Sequence, residues 1–96
     1  MAYLTRFDVA DYNGVRMVVV ESDLMPPDSS VVVIPLLANY PIVKDLKPEI
    51  LHEGQRLVLA TRLSAAVQRT KVRRVGSVAD QGDRIIRGVD ILMAGV

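Results

Sequence analysis

Apolar residues recur along most of the chain in short stretches separated by turn-forming residues, and only the tail from Asp80 to Val96 adopts a helical period. Leu4 to Val9 is short and mixed. It is followed by Asp11-Tyr12-Asn13-Gly14, whose Asn-Gly pair is the strongest brief signal for a hairpin turn. Val15 to Ser22 is then the returning strand. Its run Met17-Val18-Val19-Val20 does not alternate, so it predicts a central strand buried on both faces. The stretch Met25-Pro26-Pro27-Asp28-Ser29-Ser30 predicts a loop, since neither proline has an amide to donate to a ladder. Val31 to Leu36 resumes as a buried strand, with Pro35 placing its end at an edge or bulge.

Leu37 to Pro48 has no clean period and reads as an irregular connection. Glu49 to His52, the Glu53-Gly54 turn and Gln55 to Thr61 form a second hairpin. Arg62 to Val67 is rich in good helix formers and predicts one helical turn before a last strand, Val72 to Val75, which Gly76-Ser77 breaks. In the tail, Ile85, Val89, Leu92, Met93 and Val96 fall on one helical stripe, with Asp80 or Asp83 placed to cap its start. The expected order is five or six short strands and one helix: a mostly β domain spanning residues 1–96, an antiparallel sheet closed by a C-terminal α-helix.

Composition sharpens this picture in three ways. Sixteen Val against four aromatics favour a compact β core. At 96 residues a single core buries little more than about 60% of the unfolded surface, so oligomerisation is a natural reinforcement. The absence of Cys excludes a disulfide scaffold, a thiolate metal site and a Cys nucleophile. No apolar run is long enough to span a membrane, and Met1 to Val9 lacks the pattern of a signal peptide, so the expected setting is the cell interior. The net charge of +1 conceals an uneven distribution. Residues 1–53 carry four basic and eight acidic groups, whereas residues 54–79 hold Arg56, Arg62, Arg69, Lys71, Arg73 and Arg74 with no carboxylate. Such a segment suits an acidic protein partner, or protects a sheet edge; without interleaved aromatics it is a poor single-strand nucleic-acid surface.

Candidate chemistry is sparse. His52 is the one histidine and has no second ligand at metal spacing, which predicts a structural or surface role and no metal site. The serines sit in turn-like settings outside any Gly-x-Ser-x-Gly elbow, and the isolated glycines build no phosphate loop. Glu21 and Asp23 share one strand face, where paired carboxylates could do acid-base work but more simply end a solvated strand. No cofactor is implied and no catalytic residue is assigned.

Three pieces in register carry a family likeness: Val18-Val19-Val20-Glu21-Ser22-Asp23-Leu24, Val32-Val33-Ile34-Pro35-Leu36, and the tail from Asp83-x-Ile85 through Val89 and Leu92 to Gly95-Val96. The whole chain thereby resembles the CcdB family, small cytoplasmic toxins of type II toxin-antitoxin modules. The resemblance implies an SH3-like small barrel of the CcdB/MazF/Kid type, assembled as a homodimer. It implies a protein that is not an enzyme but binds the DNA gyrase A subunit and traps gyrase on cleaved DNA. The implied gyrase-binding residues are Met93, Ala94, Gly95 and Val96, with Ser22, Leu24 and Arg87 nearby. The implied second partner is a CcdA-like antitoxin, an acidic chain suited to Arg69, Lys71, Arg73 and Arg74, which itself supplies any DNA contact. One departure stands out: the family's best-studied branch has Trp where this chain has Ala94. Two alternatives follow, a MazF-like endoribonuclease using the arginine cluster near Thr61 with Ser22-Asp23, and an attenuated, non-toxic homologue.

Overall fold

A computed structural model describes residues 4–24, 26 and 28–94. Seven strands precede one helix: β1 (Asp8–Tyr12), β2 (Val15–Val19), β3 (Ser30–Leu37), β4 (Glu49–His52), β5 (Gln55–Leu59), β6 (Ala65–Gln68), β7 (Arg73–Ser77) and α1 (Gly82–Ala94). Every pairing is antiparallel, in the order β4-β5-β3-β2-β1-β7, with β6 added to β3 beyond the reach of β5. The sheet curls into a half-barrel with the C-terminal helix against it, consistent with the small barrel that the resemblance implies.

Two hairpins close through two-residue turns. Tyr12 pairs with Val15 and His52 with Gln55, leaving Asn13-Gly14 and Glu53-Gly54 at the corners with φ of 51° and 84°, and 51° and 76°. Positive φ at both central residues gives the primed turn whose twist matches that of the strands. Glycine meets that demand freely, while Glu53 adopts it against the preference of a residue with a Cβ.

β2 is central, and its continuous apolar run does feed both faces. Val18 packs with Val9, Ile34, Leu36, Ile50, Leu57, Leu59, Val78 and Ile85, whereas Val19 joins Leu4, Ala10, Val31, Val33 and Val72. The first cluster lies beneath α1, which contributes Ile85 and, partly buried, Val89.

Four local expectations are corrected. Ala65–Gln68 is a strand, not helix: β3 offers it a complete ladder from Ser30↔Gln68 to Val33↔Ala65, and that pairing outweighs the weak helical preference of two alanines. A single 3₁₀ turn at Thr61–Leu63 is all that remains helical there. Gly76 and Ser77 lie within β7 and pair with Val9 and Asp8; the irregularity falls instead at Val75, squeezed out where Ala10 opposes Arg74. Pro35 is neither at an edge nor at a bulge but buried opposite Met17. Its carbonyl accepts from Ala60 N at 3.0 Å, on the side where β6 has ended and β5 has not begun, so the missing amide interrupts no ladder. Finally, Asp83 lies in the first turn of α1 as expected, but neither it nor Asp80 makes a capping hydrogen bond among the described residues. A 3₁₀ turn, Ala79–Gln81, runs directly into α1, and Ser77 Oγ accepts from Ala79 N at 3.2 Å.

Candidate functional site

The chain leaves β2 through a tight local arrangement. Val20 N still donates to Val32 O, after which Asp23 Oδ1 accepts from Arg6 N at 2.8 Å and Ser22 Oγ accepts from Leu24 N at 3.2 Å. These bonds turn the chain back on itself and leave Leu24 94% exposed. The Arg6 guanidinium stacks over the Phe7 ring at 5.0 Å. Phe7 has φ of 72°, a costly conformation for an aromatic residue, held by bonds from its N to Val19 O and from Val78 N to its O.

Opposite this wall lies α1. Two glycines let it approach its neighbours closely: a Cβ on Gly82 would come within 2.8 Å of the Phe7 ring, and one on Gly88 within 2.8 Å of Leu46 O in the 45–46 loop. The result is a shallow cleft with Arg6, Phe7 and Val20 on one side and Ile85, Ile86, Val89 and Asp90 on the other. Its volume of ≈ 30 Å³ is room for a water or two, about a tenth or less of an ordinary small-molecule pocket. The surface around it therefore suits a protein partner better than a substrate.

Met93 lies seven residues beyond Ile86, on the same helical face, and extends the α1 wall past the cleft. It belongs to the apolar stripe of the sequence, yet it is 79% exposed, directly after the half-buried Leu92. Ala94 is exposed beside it; Gly95 and Val96 lie outside the described residues. Arg87 points elsewhere, toward the 45–46 loop, where its Nε is 3.2 Å from Asp45 Oδ1. Ser22 and Leu24 thus lie on the turn that leaves β2, Met93 and Ala94 on the last turn of α1, and Arg87 is held against the 45–46 loop.

The cationic residues divide. Arg69 is buried, with Nη2 on Glu21 Oε2 at 3.1 Å and Nε donating to Asp28 O at 2.6 Å, so its charge is used inside the chain. Arg74 pairs with the buried Asp8 at 3.2 Å. Lys71 and Arg73 are exposed and carry no ion pair among the described residues, as does Arg62.

The groups considered for catalysis do not converge. Thr61 is fully buried, its Oγ1 donating to Leu46 O at 2.6 Å, while Ser22 and Asp23 serve their own turn and Glu21 serves Arg69. His52 is buried with Nδ1 3.5 Å from Glu53 Oε1 and its ring against Gly76, where a Cβ would lie 2.7 Å from Nε2. No group of three metal-capable side chains occurs among the described residues. Nor is any helix there long and apolar enough to cross a membrane.

Arg6, Phe7 and Asp90 were not legible as cleft residues. Arg6 and Phe7 owe their place to long-range bonds from their N–H groups to the Asp23 carboxylate and to Val19 O, which leave no trace in local sequence. Val20 and Val89 carried a signal, one in the apolar run and one on the helical stripe.

Compared with known families, residues 6–95 match the model described as CcdB protein. The chain belongs to the CcdB family. The match begins at Arg6 and extends past Met93, so it spans both walls of the cleft. Among curated individual proteins none matches. CcdB-family proteins are toxins of toxin-antitoxin systems that poison gyrase without catalysing a reaction, and this chain is placed among them.

Proposed function

We propose that this CcdB-family toxin acts as a cytoplasmic homodimer that binds the gyrase A subunit and holds the enzyme on cleaved DNA. The contact is made by Leu24 and Met93, with Ser22, Ala94, Gly95 and Val96 around them. The observation that supports this reading is the exposure of two large apolar side chains, Leu24 at 94% on the turn after β2 and Met93 at 79% on the last turn of α1. Scattered exposed apolar residues need no explanation, but a pair raised on an ordered turn and on a helix end has the form of an interaction site. Arg87, held to Asp45 by a mostly exposed pair worth about 0–1 kcal/mol, is readily given up to a partner's carboxylate.

Lys71 and Arg73 are proposed to receive an acidic CcdA-like antitoxin, raising its association rate more than its affinity. Arg69 contributes from beneath, by its bonds to Glu21 and Asp28. The test is DNA supercoiling by purified gyrase in the presence of increasing toxin. Inhibition with accumulation of cleaved DNA is expected; a folded toxin that leaves supercoiling untouched at micromolar concentration overturns the proposal.

A further inference from the structure

The chain has neither Cys nor Trp, so methionine is the residue that a peroxide attacks most readily. Four methionines are present. Met1 and Met25 lie outside the described residues, which leaves Met17 and Met93 to compare. Met17 sits within β2, paired with Ala10 of β1 and Pro35 of β3, and packs against the second core cluster. Half-buried between two strands, its thioether is partly shielded. Met93 is the opposite case, 79% exposed on the last turn of α1.

The two differ as much in what oxidation changes. Sulfoxidation turns a flexible apolar side chain into a polar one. Against a packed cluster this disturbs the fold, whereas on the largely exposed Met93 it alters the surface alone. That surface is the helix end proposed above for the gyrase contact. Ile91 and Leu92 are half-buried and Ala94 is small, so Met93 supplies most of the apolar area that the last turn offers a partner. A sulfoxide oxygen there is a hydrogen-bond acceptor that loses its water on docking, which costs affinity unless the partner donates to it.

We propose that Met93 is a reversible oxidation site, at which peroxide weakens the toxin's hold on gyrase without unfolding the toxin. This rests on the gyrase reading above and adds its regulation. The thioether sulfur attacks one oxygen of hydrogen peroxide, the O–O bond breaks and a sulfur–oxygen bond forms. Sulfur gives up two electrons; the leaving hydroxide takes the proton of the transferred oxygen and departs as water. The return needs two electrons and two protons from a pair of thiols, which become a disulfide as the oxygen leaves in a second water. With no Cys in this chain, those thiols belong to a sulfoxide reductase.

The test treats the full chain with graded hydrogen peroxide and removes the excess with catalase before gyrase is added. Peptide mass spectrometry reads the oxidation of each methionine beside the inhibition of supercoiling. Met93 is expected to oxidise ahead of Met17, and full Met93 sulfoxide to raise the toxin concentration for half inhibition by about tenfold or more, with unchanged circular dichroism. Sulfoxide reductases for both epimers, with dithiothreitol, are expected to restore Met93 and inhibition together. Met93→Leu, compared with itself before and after peroxide, is expected to lose no inhibition. Fully oxidised Met93 with undiminished inhibition overturns the proposal, as does an equal peroxide-driven loss in Met93→Leu or a Met93 that stays reduced after Met17 has oxidised. Should Met93→Leu begin without activity, recovery of the wild type in step with repair at Met93 decides for the proposal, and recovery in step with another methionine against it. Untreated toxin that leaves supercoiling untouched overturns the gyrase reading and the switch with it; a toxin equally active before and after oxidation overturns the switch alone.

Discussion

Gln81 holds Leu51 as a neighbouring strand would: its Oε1 accepts from Leu51 N at 2.8 Å and its Nε2 donates to Leu51 O at 2.7 Å. A side-chain amide reproduces both bonds of a peptide group, and it does so from the turn that leads into α1. The open side of the half-barrel is thereby tied to the helix that carries Met93. Gln81→Ala is expected to destabilise the chain by about 1–2 kcal/mol, one net increment for each hydrogen bond lost at a partly wetted site. Urea titration measures this, and Gln81→Glu, which keeps only an acceptor, is expected to recover little.

Arg69 is the second tie. Arg69→Ala strands Glu21 and Asp28 O and is expected to cost about 3 kcal/mol, as for other largely buried pairs broken from one side. Hydrogen exchange across residues 22–29 is expected to accelerate in the folded variant, and gyrase inhibition to fall with it, because the turn that presents Leu24 loses its anchor. Unchanged exchange across 22–29 would remove Arg69 from this role.

At Gly88 two effects oppose each other. Alanine in a helix interior is favoured over glycine by about 1 kcal/mol, but its Cβ would lie 2.8 Å from Leu46 O, a backbone atom that cannot simply turn away. Overpacking of this kind costs about 1–3 kcal/mol, so Gly88→Ala is expected to lower stability on balance and to displace α1 from the 45–46 loop. Denaturation midpoint and gyrase inhibition are expected to decline together.

Surface substitutions at the proposed contact are expected to separate activity from stability. Leu24→Asp and Met93→Ala touch side chains that are largely exposed, so their melting temperatures are expected to stay near wild type while inhibition of supercoiling is lost. A fall in stability without loss of inhibition would contradict the assignment.

Ala94→Trp restores the aromatic anchor found in the family's best-studied branch. A buried Trp of that kind is worth about 2 kcal/mol or more, which corresponds to roughly thirtyfold in affinity. Gyrase inhibition at correspondingly lower toxin concentration is the expected result; equal potency would mean that the end of α1 does not meet gyrase through this position.

What could be read from the sequence depended on how local its cause was. Asn13-Gly14 and Gly54 announced their hairpins because positive φ is readily adopted by those residues themselves, whereas Glu53 follows the turn against its own preference. The valine run of β2 announced a strand buried on both faces, again from its own residues. Ala65-Ala66-Val67 misled, since alanine's preference for helix is worth only tenths of a kcal/mol per residue and β3 supplied a ladder to overrule it. The inward turn of Arg69 and the grip of Gln81 on Leu51 depend on partners 48 and 30 residues away in a folded chain. The exposed end of the helix was expected from family likeness, whereas the cleft beside it required the coordinates of Arg6 and Phe7.

Val18 and Val19, neighbours in sequence, sit in different clusters on opposite sides of one strand. Neither cluster survives the departure of β2, and β2 cannot depart from one without leaving the other. The two halves of the interior are therefore coupled through adjacent residues of one strand, so that loss of β2 takes a valine from both at once.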